Sequence, residues 1–190
     1  MKQHNYINRV TLTDEISNIF VITPKRILLT VRIGCNYPQI FCTDKNADYV
    51  LRNCTKGQRV SVKANIQSSY KEGLGKVTTI FADDVTAVKD DVYLPSENRF
   101  TVAGEISKIT EFTRSNIVRL KLRTYVNHHS SSFILSFYNP DKRLMNSFCV
   151  GQFVCFTGMV QTSKQILEDG SAKYHENFVV DFPKEKMEAA

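Results

Sequence analysis

Asn8-Arg-Val-Thr-Leu-Thr-Asp-Glu-Ile-Ser-Asn-Ile19 returns 90 residues later as Asn98-Arg-Phe-Thr-Val-Ala-Gly-Glu-Ile-Ser-Lys-Ile109, with seven of twelve positions identical. A second block follows in the same order. Gly57-Gln-Arg-Val-Ser-Val-Lys-Ala-Asn-Ile-Gln-Ser-Ser69 pairs with Gly151-Gln-Phe-Val-Cys-Phe-Thr-Gly-Met-Val-Gln-Thr-Ser163. The offset grows from 90 to 94 between the blocks, as a four-residue insertion would produce. One such match could be chance similarity of two β segments. Two in order, at nearly constant spacing, indicate an internal duplication. The 190-residue chain is therefore read as two modules: residues 1–90 and 98–183, a linker at 91–97 containing Pro95, and a short tail at 184–190. A module of about 90 residues can bury a thin but working core. The insertion is placed near Tyr125–Ser132, where His128-His129-Ser130-Ser131-Ser132 suggests an extended loop.

Within each copy, apolar residues alternate with polar ones. Val60, Val62, Ala64 and Ile66 interleave with Arg59, Ser61, Lys63 and Asn65; Leu120 and Leu122 interleave with Lys121 and Arg123. Period-two alternation predicts strands with one buried face. The expected order per copy is three strands, a short helix and two strands. The strands are 9–16, 27–33, 39–43, 59–67 and 77–88, then 99–106, 118–125, 133–137, 153–161 and 174–182. The helices are 47–54, capped by Asp44 or Asn46, and 140–148. This is the all-β, five-strand order of the OB-fold, repeated in tandem.

The formal net charge is +6, with +4 before Pro95 and +2 after it, and the pI is about 9.1. Two basic modules suit a polyanionic partner through counterion release. Solubility alone explains a charge of this size equally well. The five cysteines, Cys35, Cys42, Cys54, Cys149 and Cys155, are odd in number and contain no C-x-x-C pair. Zinc and a disulfide framework are not expected, and a reducing cytoplasm fits best. The polar N-terminus does not read as a secretory signal, and no apolar run reaches membrane-span length.

At these residues the chain resembles the bacterial single-stranded DNA-binding protein family. The opening Asn-Arg-Val/Phe-Thr-Leu/Val looks like that family's first strand. Tyr49-Val-Leu-Arg-Asn-Cys-Thr-Lys-Gly57 looks like its helix end, and Gly170-Ser-Ala-Lys-Tyr-His-Glu-Asn-Phe-Val-Val-Asp181 like its fifth strand. The resemblance implies a largely sequence-independent binder of single-stranded DNA in replication, repair or transfer, non-catalytic and without cofactor. Counted back from Gly57 and Gly151, the family's stacking tryptophan falls at Tyr37 and Ser131, and its stacking phenylalanine at Thr43 and Phe137. The chain departs from the family in having no tryptophan and no long acidic tail. Two fused modules would supply half of a four-barrel assembly, which is compatible with a homodimer; replication proteins are further candidate partners.

Single-strand binders combine a cationic groove with aromatic faces on which bases stack. The candidates in the first copy are Arg32, Tyr37, Phe41, Lys63, Tyr70, Lys71 and Lys76. Those in the second are Arg119, Lys121, Arg123, Tyr125, Phe133, Phe137, Lys164 and Lys173. Spacing of two puts Arg119, Lys121 and Arg123 on one strand face. Phe41 and Phe133 fit a core or module interface as well as a binding face. RNA is the close alternative, since stacking and phosphate contacts serve both. A protein-interaction module is the alternative of another class. Enzyme readings are weak. Gly73-Leu-Gly75-Lys76 lacks the spacing of a phosphate loop and reads as a hairpin turn. His128-His129 lacks a third ligand at metal spacing, and Asp83-Asp84 and Asp90-Asp91 show no convergence on a metal. Because the copies diverge at binding positions, a divided site is expected, or one module binding while the other supports assembly.

Overall fold

The structure, a computed structural model, describes residues 5–73, 75–89, 91–126, 129–166 and 172–181. The N-terminal half contains β1 (Ile7–Thr23), β2 (Arg26–Arg32), β3 (Gln39–Thr43), α1 (Asp44–Asn53), β4 (Arg59–Lys71) and β5 (Gly75–Ala87). The C-terminal half contains β6 (Glu97–Phe112), β7 (Ile117–Val126), β8 (His129–Tyr138), α2 (Lys142–Asn146), β9 (Phe153–Ile166) and β10 (Ala172–Val180). The structure is thus mostly β, and the ten strands of the described residues belong to one hydrogen-bonded sheet.

In each half the pairings form a circuit. β1 pairs with β2, β2 with β3, β3 in parallel with β5, β5 with β4, and β4 with β1. The second half repeats this as β6–β7–β8–β10–β9–β6, again with its parallel step between the third and fifth strands. One long first strand serves two neighbours. Val10–Glu15 of β1 face β4, and Glu15–Thr23 face β2. A bulge at Ser17, between Ile16 and Asn18, falls where β1 changes partner. Ser107 marks the same bulge in β6. Each serine hydroxyl donates to a carbonyl across the ladder, Ser17 to Thr30 at 3.3 Å and Ser107 to Lys121 at 2.9 Å. Such bulges bend a strand and raise its twist, which lets it pass from one neighbour to the next.

The identical residues of the repeat hold this frame. The Asn8 side chain donates to Ile66 O at 2.7 Å and accepts from Ile66 N at 2.8 Å; Asn98 does the same with Val160 at 2.8 and 2.9 Å. Gly57 and Gly151 turn the chain into the fourth strand at φ 89° and 88°, a left-handed conformation that favours glycine. The following Gln58 and Gln152 side chains accept from Thr55 N and Cys149 N, each at 3.1 Å.

The halves join through β1 and β6, antiparallel, with Val10 opposite Phe100. Those two residues are repeat counterparts, so a local two-fold axis runs between them. Buried residues of both halves form one contiguous cluster, including Val10, Leu29, Ile66, Phe100, Leu120 and Phe133. No helix among the described residues is long and apolar enough to cross a membrane. All five cysteines are free. Cys42 and Cys54 lie in the core, where burial and then the neighbouring Cys54 push the Cys42 thiol up to about 12.

Three expectations change. The inserted residues do fall between the second and third strands of the second half, but they lengthen β7 to Val126 and start β8 at His129 rather than forming a loop across 128–132. Neither Asp44 nor Asn46 caps α1. Thr43 occupies the cap without a side-chain bond, and Asn46 turns inward to donate to Ala82 O at 3.0 Å. The tail at 184–190 lies outside the described residues.

Candidate nucleic-acid interface

The outward faces of the first three strands can be compared row by row, because both halves share one register. In the second half, Lys108 stands opposite Lys121, and Lys121 opposite Ile134. The next row is Thr110, Arg119, Ser136 and Val179, and the one beyond is Phe112, Ile117 and Tyr138. Phe112 and Tyr138 are 41% and 44% exposed, so each ring presents area to solvent. Two lysines directly opposite across a ladder repel one another. A bound anion would relieve that repulsion.

The first half contributes to the same place. Its β4–β5 hairpin leans over β8: Ser132 N donates to Ser68 Oγ at 3.0 Å, and Lys76 Nζ donates to Ser132 Oγ. Lys76, Lys108, Arg119 and Lys121 therefore line one groove of about 380 Å3, with Thr78, Thr110, Phe112 and Ile134. Burial, and then the nearby Lys121 ammonium, hold Lys76 below the usual lysine range. Among the described residues none of the four cations is in an ion pair. Arg119 lies over Phe112, its Cζ 4.9 Å from the ring centroid, within cation–π distance. A larger hollow of about 480 Å3 bordered by Phe112 is lined, among the described residues, by Glu111, Pro140 and Met145 with other uncharged side chains.

The matching rows of the first half are Asn18, Thr30 and Gln39, then Phe20, Leu28, Phe41 and Phe81. Where the second half carries lysines and an arginine, the first carries amides, a hydroxyl and an apolar stripe. Phe41 is half-buried against Phe81, with ring centroids 5.1 Å apart. The β9–β10 hairpin leans onto this half in return, Tyr37 N donating to Thr162 Oγ1 at 2.7 Å and Gln39 N to Glu176 Oε1 at 3.3 Å. One hairpin thus brings an ammonium to its neighbour, and the other brings a carboxylate.

The sequence-predicted residues divide accordingly. Lys76, Arg119 and Lys121 meet in the groove, and Arg123 continues their face toward Ser132 and Glu105. Arg32 is exposed but ion-paired with Glu15. Lys63 faces Asp84 across the β4–β5 ladder. Tyr37 and Tyr70 are 38% and 81% exposed; neither lines the groove, but Tyr70 stands directly opposite Lys76 in the β4–β5 ladder. Tyr125 packs edge-on against Tyr6, centroids 4.8 Å apart. The side chains of Lys71, Lys164 and Lys173 lie outside the described residues.

Phe133 and Phe137 are corrections. Both point into the core, at 1% and 0% exposure, opposite Leu122 and Val118. The register explains the error. Arg26 opposite Thr43 corresponds to Ile117 opposite Tyr138, so the counterpart of Thr43 is Tyr138 rather than Phe137. A one-residue slip moves a strand residue to the other face. Lys108 and Phe112 escaped the sequence reading for a related reason. Plain alternation from the buried Ile106 would turn Lys108 inward, and the Ser107 bulge reverses that phase.

No protein-family model matches the sequence, and no curated protein matches it. Solved structures do. The wild-type single-stranded DNA binding protein from Thermus aquaticus superposes with a TM-score of 0.67 at 11% identity, over 93% of this chain and 91% of that one. A deletion mutant of the same protein, lacking 228–252 and carrying an Arg-to-Ala change, gives 0.67 at 12% identity, over 95% and 98%. Coverage of this size spans most of both halves, and the chain has the fold of this single-stranded DNA binding protein.

Proposed function

We propose that the chain is a non-catalytic, largely sequence-independent single-stranded DNA-binding protein built from two OB-fold barrels, residues 1–90 and 98–183, joined by 91–97. The observation that carries this reading is the convergence of Lys76, Lys108, Arg119 and Lys121 on one groove beside the exposed rings of Phe112 and Tyr138. Cations hold the phosphates, and π-faces accept any base, which gives affinity without sequence choice. The shared fold with a protein described as a single-stranded DNA binder supports the same ligand here. We place its role in replication, repair or transfer, in the cytoplasm, with RNA as the nearest competing ligand.

A second reading is favoured by one feature. Phe20, Val21 and Ile22 near the β1–β2 turn are 59%, 51% and 49% exposed. Adjoining apolar side chains left in water mark a protein contact, here a replication protein or a second copy forming a homodimer.

The test is a salt titration of binding to a labelled oligonucleotide of about thirty nucleotides. Four phosphate contacts predict a log–log slope of about −3 on single strands. Absence of binding at low salt, or binding without a slope, would leave only the protein-contact reading. A ribonucleotide competitor of equal length separates DNA from RNA preference.

A further inference from the structure

We infer that Arg119, held over Phe112, is a base-stacking platform of the groove, so that the second module meets bases through a guanidinium beside the exposed third-strand ring of Tyr138. The inference rests on the single-stranded nucleic-acid reading above. Four observations carry it.

The guanidinium carbon sits 4.9 Å from the Phe112 centroid, so one face of the cation is supported by the ring. Arg119 is exposed and lines the groove, so its guanidinium is not enclosed by the ring contact. Its register neighbours are Thr110 and Ser136, both short, and with Ser136 it lines a hollow of about 190 Å3 beside Thr78 and Glu176. The aromatic rings on the inward face of β8, Phe133 and Phe137, are buried and unable to take that role.

Chemistry then divides the four cations. A lysine ammonium is a point charge suited to phosphate, whereas a guanidinium is planar and stacks on π-faces. Unstacked bases of single strands are commonly received by aromatic rings or arginine planes. A base laid on Arg119 would extend the Phe112–Arg119 pair into a three-layer stack. Lys76, Lys108 and Lys121 would hold the phosphates on either side. The first half cannot build this platform, because Leu28 occupies the position of Arg119.

The experiment compares wild type, Arg119→Lys and Phe112→Leu for binding to two oligonucleotides of equal length. One carries bases; the other is an abasic sugar–phosphate chain. Arg119→Lys keeps the charge and removes the plane. It is expected to weaken binding of the base-bearing strand about tenfold, with the salt slope and the abasic affinity unchanged. Phe112→Leu is expected to give a smaller loss of the same kind. If Arg119→Lys binds the base-bearing strand like wild type, or loses affinity equally for both strands, the platform assignment is overturned while the functional reading stands. If wild type binds neither strand at low salt, the functional reading fails and the platform with it.

Discussion

Where β2 carries Leu28, β7 carries Arg119; where β1 carries Asn18, β6 carries Lys108. The two halves have the same strand order, the same bulge and the same asparagine and glycine devices, yet their outward faces differ in chemistry. The frame residues are constrained by backbone groups that any copy of the fold must satisfy. The outward rows are constrained only by what they touch. One copy carries cations and exposed rings on its face, and the other carries amides, a hydroxyl and an apolar stripe, with the opposite hairpin bonded at Tyr37 and Gln39. The groove also needs both copies, since Lys76 reaches it from the first half.

The frame itself offers the largest test of the comparison. In the first half Val10 faces Ala64, and in the second Phe100 faces Gly158. A methyl group on Gly158 would lie 2.0 Å from Val179 O and 2.6 Å from the Phe100 ring. Gly158→Ala should therefore destabilise by about 3 kcal/mol in denaturant unfolding, the high end for overpacking. The reverse change, Ala64→Gly, should cost only about 1 kcal/mol from backbone entropy and a lost methyl. Adding Phe100→Val to Gly158→Ala should recover the ring part of the loss and leave the carbonyl part. A neutral Gly158→Ala would mean that Phe100 and Gly158 do not balance volume as Val10 and Ala64 do.

A smaller effect separates the two hairpins. Glu176 reaches the first half and accepts from Gln39 N, while Thr78 holds the matching place on the other hairpin. Burial pushes the Glu176 carboxyl above its ordinary 4.5, partly offset by hydrogen bonds from its own backbone and from Gln39. A native pKa above the unfolded one means that the native state holds the proton more tightly. The stability linked to this group is then full below about 4.5 and is lost as pH rises through the native value. Glu176→Gln keeps an acceptor for Gln39 and removes the charge. It should flatten that pH dependence and leave neutral-pH stability equal or slightly higher, as thermal unfolding at several pH values would record. An unchanged pH profile would remove Glu176 as its source.

Much of the architecture was legible because duplication exposes constraint. Asn8 with Asn98, Gly57 with Gly151 and Ser17 with Ser107 are identical pairs, and each pair does the same local job. The candidate site was legible in part. Arg119 and Lys121 follow from simple alternation with Leu120 and Leu122. Lys108 did not, because the Ser107 bulge changes which face a residue takes. Phe137 was misplaced because an offset measured from Gly151 does not hold back through α2 to β8. In α2 five residues are helical, against ten in α1. Alternation alone would have turned Phe133, Leu135 and Phe137 inward together, as they are found. Nothing in the sequence showed that Lys76 crosses to the other half, since that contact depends on how the two circuits meet along β1 and β6.

The central claim is that single strands bind the face of β6–β7–β8 rather than the exposed cations of the first half, Arg32 on β2 and Lys63 on β4. The most direct measurement compares Lys108→Gln/Lys121→Gln with Arg32→Gln/Lys63→Gln in the oligonucleotide salt titration. The first pair should weaken binding at least about tenfold and reduce the salt slope by about 1.4, the share of two phosphate contacts on a single strand. The second pair should leave both close to wild type. Equal losses from the two pairs, or a larger loss from Arg32 and Lys63, would contradict the account.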